Sequence, residues 1–124
     1  MNKNCYIRYG IINIEHVLNA IRNRKRIQGC KTTSSRLRNY AYNGVTCASC
    51  GIEAEYFAVE SFKKSPETKH LNLYAIDDRG YEIMMTRDHI KPKSKGGPDC
   101  PLTNSQTMCC KCNGNKADNW EKSC

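Results

Sequence analysis

The chain contains two C-x-x-C pairs, Cys47-Ala-Ser-Cys50 and Cys109-Cys-Lys-Cys112, with 58 residues between them. A tight turn of this kind presents two sulfurs together, and two such turns complete a tetrahedral thiolate set. If they meet, the fold must tie residue 47 to residue 112. Nine cysteines is an odd count, and MNKNCYIRYGIINIEH shows no basic head, long apolar run and small-residue cleavage site. In a reducing compartment, closely spaced cysteines bind metal more often than they form disulfides. The expectation is a structural Zn²⁺ on Cys47, Cys50, Cys109 and Cys112. Such an ion contributes about 10–16 kcal/mol in finger peptides, enough to decide whether a small domain folds. Cys110 competes with Cys109, because it would pair with Cys112 as C-x-C; the commoner C-x-x-C spacing favours Cys109. Cys5, Cys30, Cys100, Cys110 and Cys124 read as small buried hydrophobes or free thiols.

With 124 residues, the chain is one domain or one domain with an appendage. No apolar run approaches the roughly 18 residues of a membrane span, so a cytoplasmic protein without a membrane partner is expected. The net charge of +8 is unevenly placed. Residues 1–45 carry Lys3, Arg8, Arg22, Arg24, Lys25, Arg26, Lys31, Arg36 and Arg38 against Glu15 alone, or 9 − 1 = +8. Residues 46–124 carry 11 basic and 11 acidic side chains, which cancel. A basic excess confined to one third of a chain is the electrostatic footprint of a polyanion partner, most simply nucleic acid. The plainer reading is a solvated, solubilising face.

Ile14, Val17, Leu18 and Ile21 follow the i, i+3, i+4, i+7 spacing of one helix face. Asn13 suits the N-cap and Gly29 the stop, which places Arg22–Arg26 in the last turns. A second helix is expected from Ser35 to Tyr42, capped by Ser34 and ended by Asn43-Gly44. AEYFAVESF reads as a strand, KKSPETKH as a polar loop, and LNLYAI-DDRG-YEIMMT as a hairpin running into Arg87-Asp88-His89-Ile90. PKSKGGPDCPLT must loop. From about Asn104 onward cysteine-rich turns and a final helix are expected.

Asp88-His89 therefore closes a strand, where side chains are held firmly but stay accessible. Hydrolysis of a phosphodiester needs a base for water, a cation for the developing charge and a group that orients the base. Histidine suits the base, having its pKa near neutrality, and a carboxylate suits a hard cation. The plain alternative is a surface ion pair, with Asn104 as a loop cap and Asn113 as a left-handed residue closing the second knuckle. His16 and His70 have no such company and read as structural or surface groups.

The string DHIKPKSKGG…NSQTMCCKCNGNK resembles the HNH endonuclease family, of the ββα-metal (His-Me finger) fold, over roughly Cys47 to Lys116. The resemblance implies His89 as general base, Asp88 as ligand of the catalytic metal, and Asn104 as the residue holding the base histidine. It implies Asn113 as the second metal ligand and Lys116 as a phosphate contact. Two departures stand out: the segment between Cys50 and Asp88 is longer than in compact members, and the third motif letter is Asn. Asp and Asn both offer oxygen, which favours Mg²⁺ or Mn²⁺. The implied fold is α+β: a ββα-metal core stapled by zinc (46–124) with a basic, helical, DNA-contacting extension (1–45). The implied function is metal-dependent cleavage of DNA, most simply double-stranded, by a monomer that nicks or a homodimer that cuts both strands. Arg22, Arg24, Lys25, Arg26, Arg36, Arg38 and Lys116 are the expected nucleic-acid contacts. The alternatives are a non-catalytic zinc module that binds nucleic acid and a phage-type accessory factor.

Overall fold

Two helix starts are specified by side chains. Asn13 Oδ1 accepts a hydrogen bond from the Glu15 amide at 2.9 Å, and Ser34 Oγ accepts from the Leu37 amide at 3.2 Å. Each thereby satisfies an amide that has no partner within its helix. They open α1 (Ile14–Arg22) and α2 (Ser35–Asn43). The computed structural model describes residues 5–100 and 102–116; Lys3 and Cys124 lie outside them. The remaining elements are β1 (Tyr6–Ile12), β2 (Ala54–Phe62), β3 (His70–Ile76), β4 (Glu82–His89), β5 (Ser105–Cys109) and α3 (Cys110–Lys116). The result is a small α+β fold, with one antiparallel sheet in the order β1-β2-β3-β4-β5. Among the described residues no helix is long and apolar enough to cross a membrane.

Three local expectations differ from this. The first helix ends at Arg22 rather than near Gly29, because a left-handed turn intervenes. The Lys25 amide bonds to Ala20 O at 2.9 Å and the Arg24 amide to Ile21 O at 3.2 Å, with Arg24 at φ +55°. That is the Schellman arrangement, in which the left-handed position usually holds glycine. The N-terminal stretch is not wholly helical, since β1 pairs with β2 along its length. The chain after Asn104 opens with a strand, and β5 pairs with β4 from Met85↔Cys109 to His89↔Ser105.

The core lies between the sheet and the two N-terminal helices. Val17, Leu18 and Ile21 of α1 and Leu37 and Tyr40 of α2 join Phe57, Val59, Leu71, Leu73 and Met85 in one cluster. Each fully buried large side chain here contributes about 1.5–3 kcal/mol. The basic third of the chain is thus packed onto the sheet. Arg8 adds nothing to a basic surface, because its guanidinium pairs with Glu60 at 2.8 Å and Glu82 at 2.7 Å. Glu60, only 2% exposed, is also bonded by Asn72 Nδ2 and Tyr74 Oη at 2.8 and 2.6 Å. A buried carboxylate is tolerable only when satisfied in this way.

β4 changes neighbours midway. Glu82–Met84 pair with β3, and Met85–His89 pair with β5. The β4–β5 ribbon is clamped on one face by α2. Tyr40 Oη donates to Met85 O at 3.2 Å, Asn39 Nδ2 to Thr107 Oγ1 at 3.0 Å, and Asn43 Nδ2 to Ser105 O at 3.1 Å. Asn39 is fully buried. Truncating it leaves buried polar partners unmet, at about 1–3 kcal/mol. Asn39→Ala is expected to lower the unfolding free energy by that amount, seen by circular dichroism as a lower urea midpoint at an unchanged m-value.

Candidate active site and metal centre

The two knuckles meet. The Sγ atoms of Cys47, Cys50, Cys109 and Cys112 all lie within 4.8 Å of one another. A Zn–S bond of ~2.3 Å implies sulfurs about 3.8 Å apart in a regular tetrahedron, and the Cys50 and Cys109 sulfurs are 3.9 Å apart. Each knuckle aims an amide at its own first sulfur: Cys50 N to Cys47 Sγ and Cys112 N to Cys109 Sγ, both 3.5 Å. Gly51, at φ +81°, makes the sharp exit from the first knuckle. A β5 bond fixes that knuckle in place, from Ala48 N to Thr107 O at 2.8 Å. The cluster uses Cys109, the last residue of β5, and Cys110 is not part of it.

The thiols also differ electrostatically. Burial pushes the Cys47 thiol up, but amide hydrogen bonds from Cys50, Cys109 and Ser49 outweigh it and bring it down to about 6. Burial pushes the Cys109 thiol up to about 12. Four adjacent sulfurs cannot all ionise without a cation between them. The donor set and its spacing fit a closed structural zinc.

Asp88 and His89 end β4, and adjacent strand residues point to opposite faces. Asp88 faces α3. Its Oδ2 accepts from Gln106 Nε2 at 2.9 Å and from the Lys116 ammonium, which also donates to His89 O and Ile90 O at 2.9 and 3.2 Å. Thr86, two residues back on the same face, accepts from Asn113 Nδ2 at 2.8 Å. Asn113 and Lys116 lie three apart on α3, hence on one helix face. The carboxylate of Asp88 and the amide of Asn113 thus share one side of the ribbon. Lys116 is engaged with Asp88 rather than turned outward.

His89 faces the α2 side. Its Nε2 lies 3.3 Å from Asp99 Oδ1, and the same oxygen receives the Arg87 guanidinium. Arg87 Nε in turn donates to Ser105 Oγ at 2.8 Å. Asp99 was absent from the residues expected here: it sits in an irregular loop, where no periodicity marks it.

Asn104 does not touch the imidazole. Its Oδ1 accepts from the Lys91 amide at 2.8 Å, and its Nδ2 donates to Lys91 O at 3.0 Å and Pro98 O at 2.6 Å. Its own carbonyl takes the Ile90 amide at 3.2 Å. It pins both ends of the loop that follows His89. Gly97 completes the loop, because a Cβ there would lie 1.8 Å from Lys91 O.

The expected basic contacts separate into two groups. Arg36 is committed to Leu71 O at 2.7 Å and Arg26 to Gly29 O at 3.0 Å. Arg22, Arg24 and Arg38 instead line one cleft. Lys25 is exposed, and its carbonyl accepts from Thr32 Oγ1 at 2.8 Å.

Residues 77–121 match the family model described as HNH endonuclease. The match begins at the turn before β4 and bears out the family resemblance over that segment, little more than a third of the chain. No curated protein and no solved structure matches the chain.

Two outcomes follow from the geometry. Cys109→Ser is expected to abolish zinc retention after gel filtration, read by elemental mass spectrometry, while Cys110→Ser keeps about one zinc per chain. Gly97→Ala is expected to cost more than about 1 kcal/mol in melting experiments, because the contact is backbone and cannot give.

Proposed function

We propose that the segment from β4 through α3 is a metal-dependent nuclease site that hydrolyses phosphodiester bonds of DNA. One observation carries the reading: a histidine whose far nitrogen is held by a carboxylate, beside an oxygen donor pair on the other side of the same strand end. With Asp99 accepting from Nε2, the neutral imidazole keeps the lone pair on Nδ1, which can take a proton from water. Arg87 and the Ser105 hydroxyl hold Asp99 on station. Asn104 keeps the loop folded so that Asp99 can reach.

The second half of the reading is a divalent ion. Gln106 and Lys116 occupy Asp88 Oδ2, which leaves Oδ1 without a hydrogen bond among the described residues. Thr86 takes the Asn113 amide nitrogen and so leaves its oxygen available. Two hard oxygens on one face fit Mg²⁺ or Mn²⁺ better than an imidazole-preferring metal. Such an ion, when bound, neutralises charge on the scissile phosphate and the leaving oxygen. Asp88 and Asn113 would hold it, while Lys116 lowers the net negative charge of the site. The ββα arrangement of β4, β5 and α3, the structural zinc and double-stranded DNA as partner all belong to this reading. One base and one metal ion cut one strand, so a single chain would nick.

A second reading rests on Lys116. A carboxylate satisfied by its own lysine is also what a non-catalytic zinc module that binds nucleic acid would show.

Supercoiled plasmid with added Mg²⁺ separates the two. The wild-type chain is expected to produce open circles. His89→Ala should slow nicking by about 10²–10⁴-fold, the usual worth of a general base. Asp99→Asn is expected to lower kcat by about 10–100-fold with little change in KM, as for other carboxylate partners of functional histidines. Equal nicking by wild type and His89→Ala, or none by either, would refute the catalytic reading.

A further inference from the structure

The cleft between the end of α1 and the exposed side of α2 contains about 100 Å³ of open volume and is lined by Ile21, Arg22, Arg24, Thr32, Thr33, Arg38 and Tyr42. Three arginines therefore border one small space, and among the described residues no acidic residue lines it. Arg22 also lies 3.9 Å from a carboxylate oxygen of Glu15, an exposed pair that water screens. Like charges gathered this way repel unless an anion joins them.

We propose that this cleft binds one phosphodiester group of a nucleic-acid backbone, through Arg22, Arg24 and Arg38 with the hydroxyls of Thr33 and Tyr42. The inference rests on the nucleic-acid reading above and adds a specific anchor to it. Guanidinium forks match the oxygens of a phosphate, and hydroxyls complete its hydrogen bonding.

The local backbone points the same way. Arg24 sits at φ +55°, in the left-handed position that ends α1. Glycine is favoured there, and any side chain costs stability. The position holds an arginine whose side chain lines the cleft. On α2, Arg38 and Tyr42 are four residues apart and so share a helix face. The neighbouring face carries Asn39 and Asn43, which grip β5.

The cleft also lies on the side of the sheet that carries His89. Thr107 and Ser105, gripped by α2, are the cross-strand partners of Arg87 and His89. The Cys100 thiol, next to Asp99, is held below its ordinary value by hydrogen bonds from Thr103 and Leu102, and the Arg38 charge acts in the same direction. A backbone gripped in the cleft would thus run on the face where the base stands.

The test is binding without cleavage. A fluorescent duplex is titrated with His89→Ala protein, without added divalent ion, across a salt series. Arg24→Gly and Arg38→Gln, each in that background, are compared with Lys63→Gln and Lys64→Gln, which remove the same charge from an exposed turn far along the chain. Each cleft substitution is expected to weaken binding roughly tenfold, the worth of one charged hydrogen bond, and to lower the salt slope by about one. The control lysines should change affinity less than twofold. Arg24→Gly should keep or raise the melting temperature, because glycine accepts the left-handed backbone. Equal losses in cleft and control variants, or duplex affinity untouched by Arg24→Gly and Arg38→Gln, would overturn the proposal. Tight binding of inorganic phosphate with unchanged duplex affinity would assign the cleft to free phosphate and overturn it too. Absence of nicking by the wild-type chain is a separate failure, because none of these titrations requires cleavage.

Discussion

Four sulfurs within 4.8 Å of one another cannot all become thiolates unless they share a cation. The rest of the site depends on that constraint. The first knuckle sits between α2 and β2, and the second joins β5 to α3. Closing them fixes where α3 begins, and α3 carries Asn113 one residue after the last sulfur. A shift of α3 by a single residue would rotate Asn113 by about 100° about the helix axis, away from Asp88. The short helix has no buried residue of its own to resist such a shift. The sulfur cluster therefore does for α3 what a packed apolar face does for α1.

Opposite faces of one ribbon divide the work. On the α3 side lie Asp88, Gln106, Thr86, Asn113 and Lys116, a set rich in oxygen and amide groups. On the α2 side lie His89, Arg87, Asp99 and Ser105, a chain of charge-assisted contacts ending on the imidazole. The strand period of two makes this separation automatic for neighbouring residues. Asp88 and His89 can be adjacent in sequence without competing for the same partners.

Much of this was legible in the sequence, for identifiable reasons. Asn13 and Ser34 are short polar side chains just ahead of periodic apolar runs, and both cap as expected. β2, β3 and most of β4 show the aromatic and β-branched content of buried strands. The two knuckles are recognisable by their spacing, and their four sulfurs do come together. What escaped has physical causes. β1 carries a register shift between Arg8 and Gly10, which breaks its alternation. β5 is five residues long and ends in a cysteine, so the knuckle obscures it. α1 stops early because Arg24 occupies a position where glycine normally announces the stop. Asp99 reaches His89 through a loop shaped by Asn104 and Gly97, and no local pattern encodes that reach. The hydrogen-bond partners of Asn104, the backbone of Lys91 and Pro98, carry no local mark for the same reason.

The change of partners within β4 has a consequence for how the molecule is divided. Residues 77–121, the family segment, begin at the turn that leads into β4, while β1, β2 and β3 lie wholly before it. β4 is thus a seam: its first three paired residues complete the sheet formed by β1 to β3, and its last five pair with β5. A fragment cut at residue 77 would retain the ribbon together with Asp88 and Asn113. It would also bare the Glu82–Met84 edge, with amides and carbonyls open to any other strand. The sheet before the seam acts as a cover for that edge, and the helix α2 packed on it reaches across to hold β5.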